Sequence, residues 1–236
     1  MRSIFARFIG IGLILAAAAG CGVNFYAGRP SDVKRIRELS AEMDRLKQQK
    51  MAEAQQLRDA QALLEQRLQK EIADKQVKME MAERGLVLTF VAEVLFDSGK
   101  ASIRPEAKET LAKVASVIRE KVADREVGIE GHTDDRPIKA SGWKSNWELS
   151  TTRATSVLHL LEENGVNPRR LVATGYGEYR PVISNEDSGG RQQNRRVEIV
   201  ILPKKLTRSE QNLVHRAQAS DEPAVASKAR DLEAYK

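Results

Sequence analysis

The sequence predicts a domain of α/β or α+β layering, with strands interleaved with helices, carried behind a long helix. Three observations predict it. Residues 32–84 contain neither Pro nor Gly and are dominated by Ala, Glu, Lys, Gln, Leu and Arg, the strong helix formers. Beyond Gly85, short runs rich in β-branched and apolar residues recur with helical apolar stripes between them, the pattern that builds mixed layers. The length of 236 residues corresponds to about 1.6 domains, enough for one buried core plus an extension.

The chain opens with Arg2 and Arg7 and then runs apolar from Phe8 to Ala19. A basic start followed by a short apolar run is the pattern of a secretory signal peptide, assigned to 1–20. The run falls short of the ~20 residues needed to span a bilayer. Ala18, Ala19 and Gly20 precede Cys21, the sole cysteine. One cysteine excludes an intramolecular disulfide and any zinc ribbon. The small residues before it resemble the lipobox of bacterial lipoproteins, although Ala18 stands where that family usually has Leu. The resemblance implies cleavage before Cys21, its acylation, and a membrane lipid anchor. Gly22, where an inner-membrane retention signal would place Asp, implies the outer membrane. Cleavage removes two arginines and lowers the formal charge from +6 to +4.

Residues 21–31, with Gly28 and Pro30, read as a lipidated N-terminus and tether. The helix predicted over 32–84 has Ile36, Leu39, Met43 and Leu46 at coiled-coil spacing. Lys50 occupies the next seam position, Leu57 and Leu64 resume it, and Leu68 and Ile72 shift it by four-residue steps, as a stutter does. The seam favours self-association into a homo-oligomer over a single solvated helix. Such a rod is a spacer without chemistry.

The globular domain is expected over 85–203. Residues 86–96 read as strand. Pro105 suits the first turn of a helix whose stripe is Leu111, Val114, Ile118 and Val122. Val127, Ile129 and Gly131 alternate as a second strand ending in His132-Thr133-Asp134. Ser145 and Glu148 have capping-box spacing at the head of a second helix, which stops at Asn164-Gly165. Residues 170–174 and 197–202 read as two more strands. The tail, 204–236, is polar, of mixed charge, and expected to be disordered.

Several blocks together resemble the OmpA-like domain family: Phe96-Asp97-Ser98-Gly99-Lys100-Ala101, Gly131-His132-Thr133-Asp134, Asn146-x-x-Leu149-Ser150-x-x-Arg153-Ala154, Gly175-Tyr176-Gly177-Glu178 and Asn194-Arg195-Arg196-Val197-Glu198. They fall in the family's order over residues 86–202. The resemblance implies an α+β fold, a mixed β-sheet packed against helices on one face, and non-covalent binding of peptidoglycan. It places the family's ligand-binding Asp on Asp134 and its Arg on Arg153. Thr133, Asn146 and Leu149 match neighbouring family positions, Asp97 and Ser98 belong to the loop expected to face the ligand, and Arg195 or Arg196 adds positive charge at the rim. The loop 135–144 is longer than is common in the family, and with Asn146-Trp147-Glu148-Leu149-Ser150 is similar to the wall-binding part of MotB-type flagellar stator subunits.

The chemistry of such a site is simple. A diaminopimelate side chain ends in an ammonium and a carboxylate on one carbon, so its recognition needs an anion and a cation held a few ångströms apart. Asp134 can accept from the ammonium, and Arg153 can grip the carboxylate bidentately. No hydrolase signature and no convergent metal-ligand set is visible, so the expectation is a tether and not an enzyme, without cofactor or metal. A stator-like ion channel needs a full span with a carboxylate in it, which residues 8–20 lack. The net charge alone suggests nucleic acid, but the signal peptide and the absence of an aromatic-basic surface argue against it.

Overall fold

The computed structural model describes residues 30–139, 142–205 and 207–215. The proposed signal peptide, Cys21 and most of both the tether and the tail lie outside the described residues. The chain divides into two compact units between Glu42 and Met43. The described part of the first is the head of helix α1, Pro30–Arg67, on which Val33 and Ile36 are exposed.

The second unit is a five-stranded mixed sheet in the order β1-β2-β5-β3-β4. β1 (Val77–Ala82) and β2 (Gly85–Val91) form an antiparallel hairpin. β5 (Arg196–Ile201) pairs antiparallel with both β2 and β3 (Val127–His132), and β4 (Leu171–Gly175) runs parallel to β3. The crossover between β3 and β4 is helix α5, Asn146–Glu163. Its residues Val157 and Leu161 join Leu111, Val114 and Ile118 of α4 (Pro105–Lys121) in one apolar layer. Against them lie the inward residues of the sheet: Leu86, Leu88, Phe90, Val127, Ile129, Val197 and Ile199. The fold is therefore the expected mixed sheet with helices.

The rod differs from its sequence reading. Helix α1 ends at Arg67, a short α2 follows (Gln69–Ala73), and residues read as helix up to Arg84 form β1. In Val77-Lys78-Met79-Glu80-Met81-Ala82 the apolar positions alternate with period two, which outweighs the helix-forming composition once β2 is available as a partner. Leu57, Leu64 and Leu68, read as a coiled-coil seam, are buried in the domain's own core with Ala60. Arg67 clamps this segment to α4 through Ser116 and Glu120. The helix is already docked on the domain before the four-residue step at Leu68, since Leu46, Leu57 and Leu64 are buried.

Two further differences are local. Residues 92–95 form a short helix α3 (Ala92–Leu95) in place of the end of a strand, and a helix α6 (Ser188–Asn194) precedes β5. The first part of the tail, residues 208–215, is helical and buries Leu213. A capping box begins it: the Thr207 N–H donates to Glu210 Oε2 at 2.6 Å and the Glu210 N–H donates to Thr207 Oγ1 at 3.3 Å.

Candidate functional site

The end of the sheet at which β3 stops is built for a cleft. Gly131 and Gly175 lie directly beneath α5: a Cβ on either would fall 2.1 Å from Ser150 O or Thr151 Oγ1. The two glycines let the helix settle onto the strands. On α5, residues 146, 149, 150 and 153 share one face, and Asn146, Leu149, Ser150 and Arg153 are all buried. Ser145 caps the helix by accepting from the Trp147 N–H at 3.2 Å, and its hydroxyl donates to Glu148.

A cleft of about 680 Å³ opens there. Asp97, Ser98, Gly99 and Lys100 form one wall, Arg136 to Lys139 the other, and Thr133, Asp134, Asn146, Leu149, Arg153 and Arg195 line it between them. Of the residues expected from sequence, only Arg196 is elsewhere. It points to the opposite face of the sheet, where Nε donates to Glu198 Oε1 at 2.6 Å. Arg195 caps the end of α6 and Arg196 opens β5, and of the two only Arg195 lines the cleft.

The charges in the cleft are arranged unequally. Arg195 Nη1 donates to Asp134 Oδ2 at 2.7 Å, and its other terminal nitrogen donates to Glu93. Burial alone would raise the Glu93 carboxyl, but the hydrogen bonds from Arg195 and Gln192 outweigh it and hold the group below the usual range. The other Asp134 oxygen receives only the Arg136 N–H, at 3.4 Å. Arg153, 5% exposed, is the other cation. Its Nε donates to the Lys100 carbonyl at 2.9 Å and its guanidinium lies 5.1 Å from the centre of the Phe96 ring. Among the described residues no carboxylate comes within ion-pair distance of it. Burial, then repulsion from Arg195, lowers its pKa to about 10, with Asp134 and Glu93 opposing; the group stays protonated at neutral pH.

Two contacts not foreseen from sequence hold this geometry. Trp143 Nε1 donates to the Gly99 carbonyl at 2.8 Å, tying the long loop to the wall that carries Lys100. Asn146 Nδ2 donates to the Arg136 carbonyl at 3.1 Å and to Glu178. Asn146 is thus a brace for the loop as well as a cleft residue. Glu93 was missed because it sits in what reads as strand; no local motif marks it.

The one group of potential metal ligands among the described residues is Glu130, His132 and Glu198, on the other sheet face. Arg84 pairs with both carboxylates and Arg196 pairs with Glu198, so the guanidinium groups already occupy the place of a cation. Both ring nitrogens of His132 are buried without partners. Burial, reinforced by Arg196, drives its pKa down to about 3, which keeps the ring neutral.

Comparison with known proteins agrees with this architecture. The OmpA family model matches residues 95–195. Motility protein B of Bacillus subtilis (strain 168) is 40% identical over 156 residues, which cover 66% of this chain and 59% of that protein. The chain thus spans less than two thirds of that relative. Among solved structures, the cell wall anchor of the T6SS from Pseudomonas aeruginosa is 35% identical, with a TM-score of 0.55 over 60% of this chain and 97% of that one. A MotB like protein from Desulfovibrio vulgaris aligns with a TM-score of 0.60 at 28% identity, over 66% of this chain and 99% of that one. Residues 95–195 thus form an OmpA family domain.

Proposed function

We propose that the cleft binds the stem peptide of peptidoglycan at its diaminopimelate residue and that the protein tethers a membrane to the cell wall. The observation that carries this reading is Arg153: a buried, protonated guanidinium lining a cleft with no carboxylate of its own. A carboxylate ligand would supply the missing partner, and each charge-assisted hydrogen bond contributes about 1.5–3 kcal/mol. The ligand's ammonium on the same carbon would meet Asp134, whose Oδ1 side is open apart from one long contact. Thr133, Leu149, Asp97 and Ser98 contribute shape and rim contacts. The groups present can bind and orient; they form no nucleophile-and-base pair, and the reading is of a binding module.

The resemblance to cell wall anchors and to motility protein B supports the wall as partner. Cys21 and the residues before it support a lipid anchor, and Gly22 supports placement in the outer membrane facing the periplasm. Self-association belongs to the head of α1, where Ile36 is exposed. The test is a pull-down on isolated sacculi. The wild-type chain is expected to co-sediment, and Asp134→Ala and Arg153→Ala to remain in the supernatant with folding intact by circular dichroism. Co-sedimentation of both variants at the wild-type level would reject the site.

A further inference from the structure

Beside the cleft, Trp147 and Tyr179 stack on one another with ring centroids 5.2 Å apart and planes 25° from parallel. Large aromatic rings are normally drawn into cores, yet these are 47% and 64% exposed. Their placement is tied to the cleft at two points. Trp147 follows the cleft residue Asn146 on α5, and Tyr179 follows Glu178, which accepts a hydrogen bond from the Asn146 side chain. Gly177, in the left-handed region at φ 55°, backs the indole: a Cβ there would lie 3.6 Å from Trp147 Cδ2.

We infer that this aromatic pair is a sugar subsite, stacking a hexosamine ring of the glycan strand whose stem peptide occupies the cleft. The inference rests on the peptide reading above and extends it from the peptide to the glycan. A pyranose ring carries an apolar face of C–H groups that packs on an aromatic ring, while its hydroxyls and acetamido group stay in water. That chemistry suits a flat, exposed, uncharged platform better than it suits the charged cleft. Reach supports the placement. Diaminopimelate is the third residue of the stem, so the sugar lies about 10 Å from it along an extended peptide. Arg153 and Asn146 are seven positions apart on α5, which at 1.5 Å per residue is also about 10 Å. A peptide anchored at Arg153 and running toward the head of the helix would therefore deliver its sugar to Trp147. Neighbours on a helix point about 100° apart, so the indole stands at the side of the cleft and leaves the peptide path open.

The test is calorimetry of the full-length chain in detergent with two ligands: the stem tripeptide alone, and the same tripeptide on its N-acetylglucosamine–N-acetylmuramic acid disaccharide. The expected result is a roughly 3–10-fold gain in affinity from the disaccharide. Trp147→Ala and Tyr179→Ala should each abolish that gain and leave the affinity for the free tripeptide unchanged. Equal wild-type affinity for the two ligands, or a gain that survives both substitutions, would overturn the subsite while leaving the peptide cleft intact. Failure of the tripeptide itself to bind would instead remove the cleft reading, and the subsite with it.

Discussion

Two clusters in this molecule each hold two arginines and two carboxylates, and their organisation is opposite. On the outer face of the sheet, Arg84 and Arg196 meet Glu130 and Glu198, and every charge has an opposite partner. At the end of the sheet, Arg153 and Arg195 share space with Glu93 and Asp134, but Arg195 takes both carboxylates and Arg153 has neither. A closed cluster satisfies its own charges and contributes to the fold. An open one leaves a buried cation without a carboxylate, an arrangement that costs stability and that the proposed ligand would relieve. Pairing, and not the number of charged residues, separates structure from site.

The comparison can be broken from the closed side first. Glu198→Ala leaves Arg196, itself 4% exposed, without its carboxylate, and should cost about 3–5 kcal/mol in urea unfolding. Asp134→Ala should cost much less, about 1 kcal/mol, because Arg195 keeps Glu93 and is partly solvated. Equal losses for the two would erase the distinction between the clusters.

The next effect comes from His132, which lies on β3 beside Glu130 and Glu198 of the closed cluster. Its folded pKa of about 3 lies below the unfolded value near 6.5. The unfolded chain therefore binds a proton that the folded chain refuses, and this share of stability is present above pH ~6.5 and lost as pH falls toward 3. The slope should reach about 1.4 kcal/mol per pH unit. Unfolding midpoints across that range should flatten in His132→Phe relative to wild type; identical curves would show that the imidazole is not held neutral.

The smallest effect probes how the open cluster is held. Trp143→Phe removes the hydrogen bond to Gly99, one residue before the carbonyl that fixes Arg153. Ligand binding should weaken by about 0.5–1.5 kcal/mol, with no further loss when Arg153→Ala is already present. Additive losses in the double variant, read by calorimetry, would mean that the loop acts independently of Arg153.

Much of this was legible in the sequence, for identifiable reasons. Asp134 and Arg153 are named by the resemblance to OmpA-like domains, carried by short local blocks of sequence, and the end of β3 and one face of α5 bring both to the same cleft. The Ser145 cap is likewise a local signal. Pairings across long separations were not legible. Glu93 and Asp134 meet Arg195 from 102 and 61 residues away respectively, and no spacing rule encodes that. β1 was hidden because Lys, Glu, Met and Ala favour helices, while its alternation has meaning only beside β2. The seam Leu57, Leu64 and Leu68 did signal a buried stripe; which surface buries it, a second chain or the chain's own sheet layer, is a tertiary matter.

The central claim is that Arg153 waits for a ligand carboxylate. It is tested most directly by titrating the full-length chain with the diaminopimelate-containing stem tripeptide and with the same peptide amidated at the side-chain carboxylate. The account predicts that wild type binds the free acid about 10-fold or more tightly over the amide, and that Arg153→Ala binds both weakly and alike. Equal binding of acid and amide by wild type, or an acid preference that persists in Arg153→Ala, would contradict it.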